Sequence, residues 1–446
     1  MSSTLKRQTF VTSRQMDFFS EKELVTQTGH PRDEWPLVFL KETIDNSLDA
    51  CDEKGVQPEI HIAVNGDSIS VRDNAGGIPD ATIEGVVDFS VRASSREMYV
   101  APDRGAQGNA LMTLLGMPKV LSPEHGTLVI AANGTSHTFQ CKADPVTQEP
   151  VIKHDTEASD IHDGTVVRID WTGDSWPFGD DDDYDIADDI ERLIVGFHLF
   201  NPHAKLTGHI FGGEFNFQPS CAEWKKWKPS DPTCPHWYWI DHLKRLIAAY
   251  IAQERRTGTS RTVAEFVREF KGLTGTAKAK AVLNDCELLR VPLASLATDD
   301  GLDDEKIHRL LTAMKRHSKI VKPSGLGIIG QDHFRNVLLR LGCVAESITY
   351  QKKLNDENGI PYVLESAFGW LGDEASDSRK IYAGANWSAA IKQPFRSFGA
   401  TGEGLESLLS KQFASSTEPI VFAMHLAYPR IEYTDRGKSA IALSQQ

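Results

Sequence analysis

The amino-acid sequence predicts an α+β fold: an antiparallel-rich sheet with helices over one face, then a mostly helical stretch, then a second mixed α and β region. Three observations predict it. Residues 1–205 alternate strand-period and helix-period patterns. Residues 230–320 carry apolar side chains at helical spacing, as in Leu246, Ile247, Tyr250 and Ile251. Residues 343–446 return to alternating strands and helices. The domains expected are 1–215, 230–320 and 330–446, and no internal repeat or low-complexity tract interrupts them.

The elements follow in chain order. Leu37, Leu40, Ile44 and Leu48 lie on one stripe, which predicts a helix over 36–52. Strands are expected at 58–64 and 68–73; in the second, Ile69 and Val71 alternate with polar neighbours. A helix over 108–115 precedes strands near 119–122, 127–132, 135–141 and 165–170, and a helix over 185–199 closes the first region. In the last region, 348–350 and 420–426 read as strands and 404–413 as a helix.

Composition bounds the function. A chain of 446 residues, 40% hydrophobic and 25% charged, supports two or three real cores. No apolar run approaches the roughly 20 residues of a membrane span, so no membrane role is expected, and no signal peptide is visible at the N-terminus. Six scattered cysteines suit reduced thiols and a cytoplasmic protein. A zinc site at Cys221, Cys234, His236 and His242 lacks a Cys-x-x-Cys pair and is disfavoured.

A net charge of −14 excludes a whole-surface nucleic-acid binder, so any DNA contact is local. Trp224–Lys228 and Lys315–Lys319 with Lys322 are the basic stretches available. The first reads either as a nucleic-acid contact or as a loop with a tucked tryptophan. Asp180–Asp183, Asp185, Asp188 and Asp189 read as a solvated loop running into a helix start.

Four pieces carry chemistry. In Glu42–Ala50, Glu42, Asn46 and Asp49 stand at i, i+4 and i+7 and share a helical face. A carboxylate, a carboxamide and a second carboxylate there can hold hydrated Mg²⁺ and a water; a plain solvent-facing stripe is the alternative. In Ser68–Pro79, period two aims Asp73 inward with Ile69 and Val71. An inward carboxylate needs a donor, such as the exocyclic amine of adenine. Ala75-Gly76-Gly77 then lets backbone approach a flat ring. An Asx-type turn is the alternative there. In Arg104–Met112, a glycine-bearing loop runs into an apolar helix whose free N–H groups suit phosphate. Last, Asp163-Gly164-Thr165 is a turn entering a strand.

In this order the four pieces resemble the ATP site of the GHKL superfamily, the gyrase, heat-shock chaperone and histidine-kinase type. The resemblance sharpens to the B subunit of DNA topoisomerase VI through Phe18-Phe19, Ser94-Ser95, Asn201-Pro202-His203, Glu265–Ala279, Pro361–Gly369 and Tyr433–Ala442. It implies a GHKL α/β-sandwich ATPase domain, a small helix–two-turn–helix-like domain and a transducer-like domain. It implies ATP and Mg²⁺ as cofactors, with Glu42 as general base, Asn46 as Mg²⁺ ligand and Asp73 reading adenine. Asp49, Gly77, Ser94, Ser95 and Thr165 would support the nucleotide. Arg104, Gly105, Ala106, Gln107, Gly108, Asn109, Ala110, Leu111 and Met112 would form a lid over the triphosphate. Lys438 matches the lysine that reaches the γ-phosphate from the transducer.

The implied function is an ATP-gated clamp that homodimerises on ATP binding and acts on DNA with a separate topoisomerase VI A-like cleaving subunit. A GHKL ATPase of a DNA-defence or repair complex, or a non-hydrolysing scaffold for a cleavage partner, are the alternatives.

There are departures from the pattern. Ala75 and Ala110 stand where the family carries glycines, which should stiffen both loops. The arm expected beyond Lys438 is absent or very short. The Gly437-Lys438-Ser439 run is not a P-loop, because Glu432 occupies the required glycine position.

Overall fold

The computed structural model describes residues 19–85, 98–104, 110–144, 149–171, 186–299, 301–372, 378–398, 402–434 and 440–442. Helices α1 (Glu21–Thr28) and α2 (Trp35–Lys54) lead into strands β1 (Glu59–Val64) and β2 (Ser68–Arg72). The short α3 (Asp80–Glu84) and then α4 (Ala110–Leu121) precede β3 (Thr127–Ala132), β4 (Thr135–Ala143), β5 (Pro150–Ala158) and β6 (Thr165–Asp170). Helix α5 (Ile186–Phe200) and strands β7 (Lys205–Ile210) and β8 (Gly213–Phe217) complete this part.

The eight strands form one sheet in the order β5-β4-β3-β6-β2-β1-β7-β8. Every pairing is antiparallel except β1 with β7. Register places the inward residues side by side: Ile62 faces Val71, Val71 faces Val167, and Val167 faces Ile130. Alternation then buries one face of the sheet under α2, α4 and α5.

The middle is helical, with α6 (Ile240–Thr257), α7 (Val263–Val267), α8 (Thr276–Cys286) and α9 (Asp304–His317), interrupted by the two-residue strands β9 (Ala297–Thr298) and β10 (Gly301–Leu302). Helix α7 starts on a capping box: Thr262 accepts from the Glu265 N–H, and the Glu265 side chain accepts from the Thr262 N–H. Helix α10 (Gln331–Arg340) leads to a second sheet of β11 (Thr349–Glu357), β12 (Ile360–Trp370), β13 (Lys380–Ala385), β14 (Ser388–Ala389) and β15 (Ile420–Ala427), with α11 (Leu405–Lys411) ahead of β15. The order is β11-β12-β15-β13-β14, with β13 and β15 parallel.

The α+β class and the one-sided helical layer are as expected. One expected strand, near 119–122, is instead the end of α4, which runs through Pro118. Leu114, Met117 and Leu121 sit at i, i+3 and i+7 and are all buried, so packing on the sheet holds the helix past a residue that usually ends one. Strands β5, β7 and β8 carry too little apolar alternation to be read: β5 is mostly exposed and β8 has no buried residue. The expected strand at 348–350 extends to Glu357 along an edge that is exposed over nearly its whole length.

Candidate functional site

Helix α2 is buried almost all round. From Trp35 to Asp49 every residue is buried except Glu42, which is half-buried, and Asn46, which is exposed. These two stand at i and i+4, so they open on the same side, one turn apart. An acid and an amide are thus the only side chains that this stretch of helix offers to solvent. Of the three residues read from the sequence as one face, the fold leaves Glu42 and Asn46 uncovered and buries Asp49.

Asp73 lies next to this window. It follows β2 and is 6% exposed. Its Oδ2 accepts from the Ser47 hydroxyl at 3.1 Å, which puts Asp73 against the residue after Asn46. Its Oδ1 accepts from the backbone N–H of Ala75 at 2.8 Å and of Thr165 at 3.1 Å. Burial pushes the Asp73 carboxyl above its ordinary range, against the pull of these three donors. Thr165 opens β6, and the preceding Gly164 has φ +79°; a Cβ there would stand 1.9 Å from the Asp73 carbonyl oxygen. Only glycine fits this approach. Gly164 is thus a site residue whose importance the turn pattern alone does not convey.

Gly77 has φ +78°, and a Cβ there would meet the Asn133 side chain at 2.6 Å. Asn133 in turn donates to the Ile78 carbonyl at 2.9 Å, tying the β3–β4 turn to this loop. Ala75 is buried and is not among the residues with positive φ. The stiffening expected at Ala75 therefore has no backbone basis: alanine suits this conformation. Ala110 is the first residue of α4, and Leu111 and Met112 follow as half-buried helix residues. Ser94, Ser95, Gly105, Ala106, Gln107, Gly108, Asn109 and Lys438 lie outside the described residues.

Asp49 and Arg104, expected as nucleotide contacts, meet each other instead in a buried charge network. The Arg104 guanidinium donates to Asp49 at 2.6 Å, to Asp52 at 2.7 Å and to the Asn201 side-chain oxygen at 2.5 Å. Asp52 also receives Lys226 at 2.8 Å and His203 at 3.0 Å. Burial alone would raise the Asp52 carboxyl, but Arg104, Lys226 and His203 hold it far below its ordinary range. Asn201 and His203 belong to the Asn-Pro-His run, so that motif is a support for Arg104 and Asp52.

Lys226 reaches this network because its side chain is only 4% exposed, and its ammonium lies 4.5 Å from the Trp387 ring centre. Trp227 beside it is 2% exposed. The tucked-tryptophan reading describes Trp224–Lys228, leaving only Lys225 and Lys228 exposed among its lysines. In the second basic stretch, Arg316 and His317 both pair with Asp285. Asp188 and Asp189 lie in the first turn of α5, as their pattern suggests.

No family model matches the chain. It is 26% identical over 442 residues to the B subunit of type 2 DNA topoisomerase 6 from Saccharolobus islandicus (strain Y.N.15.51), across 90% of this chain and 75% of that one. The Saccharolobus solfataricus counterpart is 25% identical over 432 residues with the same coverage. The chain resembles the B subunit of DNA topoisomerase VI. The similarity extends over most of the chain, as do the motifs that carry the resemblance. Among solved structures, the ATPase region of Saccharomyces cerevisiae topoisomerase II covers 91% of this chain and 76% of its own at a TM-score of 0.40 and 10% identity. Among the described residues, no helix is long and apolar enough to cross a membrane.

Proposed function

We propose that this chain binds and hydrolyses ATP as the B-like subunit of a type II DNA topoisomerase. The single observation that carries the reading is the opening in α2. Between Trp35 and Asp49, Glu42 and Asn46 alone break its burial, beside an inward aspartate bonded to the neighbouring Ser47.

The roles follow from chemistry. Glu42 accepts the proton of the attacking water, a positioned base being worth about 10²–10⁴-fold. Asp73 presents a buried acceptor to the adenine amine, its Oδ2 taking the Ser47 hydroxyl while Oδ1 takes two backbone N–H groups. Asn46 offers an exposed neutral oxygen, the hard donor that Mg²⁺ takes. When bound, Mg²⁺ would neutralise phosphate charge. The Gly105–Met112 segment would close over the phosphates, and Lys438 would sense the terminal one.

The three sequence regions, 1–215, 230–320 and 330–446, are then ATPase, helical and transducer-like domains. ATP binding pairs two copies into a clamp around DNA, and a topoisomerase VI A-like subunit supplies the cleavage.

Size-exclusion of the purified chain with Mg²⁺, with and without a non-hydrolysable ATP analogue, tests this. A nucleotide-dependent shift from monomer to dimer is expected. An unchanged elution volume at saturating nucleotide would replace the clamp with a scaffold role.

A further inference from the structure

We propose that the tip of the β13–β14 hairpin, Asn386-Trp387-Ser388, positions the helix that carries Glu42 and Asn46 and ties it to the segment that leads into the glycine loop. The inference rests on the ATP-site reading above and concerns how that site is held.

Ser388 Oγ accepts from the Lys41 ammonium at 2.6 Å and donates to Asp45 Oδ2 at 2.7 Å, and Lys41 and Asp45 pair with each other at 2.7 Å. Lys41 and Asp45 each stand one residue before Glu42 and Asn46. The clamped pair and the solvent-facing pair are therefore two adjacent i, i+4 stripes, about 100° apart on one helix. Any rotation of α2 that swings the acid and amide must break the three-way contact. Both clamped residues are buried, so a lost partner cannot be replaced by water at no cost.

The other contacts of the tip run to the root of the glycine loop. Asn386 donates to the Asp103 carbonyl at 3.4 Å. The Trp387 carbonyl accepts from Asn201 at 2.8 Å, and the same Asn201 side chain accepts from Arg104, the residue just before Gly105. Arg104 closes the circuit by binding Asp49, back on α2.

On its far side the tip is anchored in its own sheet. The Trp387 N–H donates to His425 Nε2 at 2.9 Å, and Asn386 accepts from the Tyr428 N–H at 2.8 Å. A shift of β15 relative to the first sheet is thus felt at the acid and at the loop root together.

The backbone supports the assignment. Asn386 and Trp387 have φ of 48° and 64°, both left-handed. A two-residue turn of this kind favours glycine at its second place. Trp387 occupies it with a ring that is wholly buried. The tip therefore keeps a strained residue for what its side chain touches.

The test uses the full chain and two variants, Ser388→Ala and Ser388→Thr. Amide hydrogen exchange is followed over 41–49 and 98–104 without nucleotide, alongside a fluorescent ATP-analogue titration and steady-state hydrolysis. Ser388→Ala is expected to speed exchange across 41–49 by about tenfold and to lower kcat by about tenfold, with KM within about threefold. Threonine, which keeps the hydroxyl, restores exchange and kcat.

Unchanged exchange in Ser388→Ala overturns the proposal, as does equal loss in both variants. Exchange does not depend on turnover. If the natural chain fails to bind the analogue, the ATP reading fails while the exchange result still decides the hairpin's role.

Discussion

The two oxygens of the Asp73 carboxylate are used differently, and under the adenine role proposed above the split decides what its replacement does. Oδ1 is consumed by two backbone N–H groups, so it builds the loop; among the described residues Oδ2 takes only Ser47 and retains accepting capacity. Asp73→Asn should keep the fold and weaken ATP binding at least about tenfold, because an amide nitrogen at Oδ2 presents a donor to a donor. Isothermal titration with an ATP analogue reads this, and binding within twofold of the natural chain would refute the adenine assignment. Glu42→Gln should instead keep binding and cut turnover by about 10²-fold or more; parallel loss of both would remove Glu42 from the chemistry.

Ala75 supplies a third residue-scale prediction. It departs from the glycine of the resembled pattern, yet its backbone is ordinary and its methyl is buried. Restoring the pattern with Ala75→Gly should destabilise the chain by about 0.5–1 kcal/mol, because glycine only adds freedom to the unfolded chain. Urea denaturation would measure it; a gain in stability would mean that the loop is strained by alanine after all. At Trp387 the sign reverses. Its left-handed backbone costs about 1–2 kcal/mol, which burial of the indole offsets.

At the level of elements, α2 shows what the sequence can and cannot convey. The apolar stripe and the i, i+4 relation of Glu42 and Asn46 are legible, because helical periodicity is local. The fate of the remaining polar residues is not. Lys41, Asp45, Asp49 and Asp52 read as a polar face, but each is buried with a partner: Lys41 and Asp45 share Ser388, and Asp49 and Asp52 share Arg104. Those partners lie between about 50 and 350 positions away in sequence, where no periodicity reaches. This is why Asp49, in phase with Glu42, reads as facing nucleotide, whereas Arg104 covers it.

The prediction at this scale concerns the cover itself. Arg104→Met leaves two carboxylates buried without their guanidinium, which should cost about 3–5 kcal/mol. Replacing the rim residue Lys225 by alanine should change stability by less than about 0.5 kcal/mol. Paired melts of the two variants compare them, and equal shifts would mean that the network carries no special weight.

Across the whole molecule, the layer where α5 and α10 pack on the second sheet holds three buried imidazoles, His198, His333 and His425, and these shape the response to pH. Burial lowers His198 to about 3, His333 to about 4 and His425 to about 3. The contacts agree with neutral rings. His333 Nε2 donates to the His198 carbonyl at 3.0 Å, its Nδ1 pairs with the Ser220 hydroxyl at 2.6 Å, and His425 Nε2 accepts the Trp387 N–H.

All three values lie below the roughly 6.5 of an unfolded histidine, so the unfolded chain takes up protons first as pH falls. Stability is therefore full above about pH 6.5 and declines below it, each imidazole removing up to about 2 kcal/mol by pH 5. Below about pH 4 the depressed Asp52 carboxyl adds a second loss of the same sign.

Urea midpoints measured at pH 7.5, 6 and 5 should fall steadily. His333→Gln, which keeps an amide able to donate and accept, should flatten the slope by up to one proton's worth. A midpoint that does not move between pH 7.5 and 5 would mean that the histidines titrate alike in both states, and that the layer of α5 and α10 against the second sheet opens to water in the folded chain.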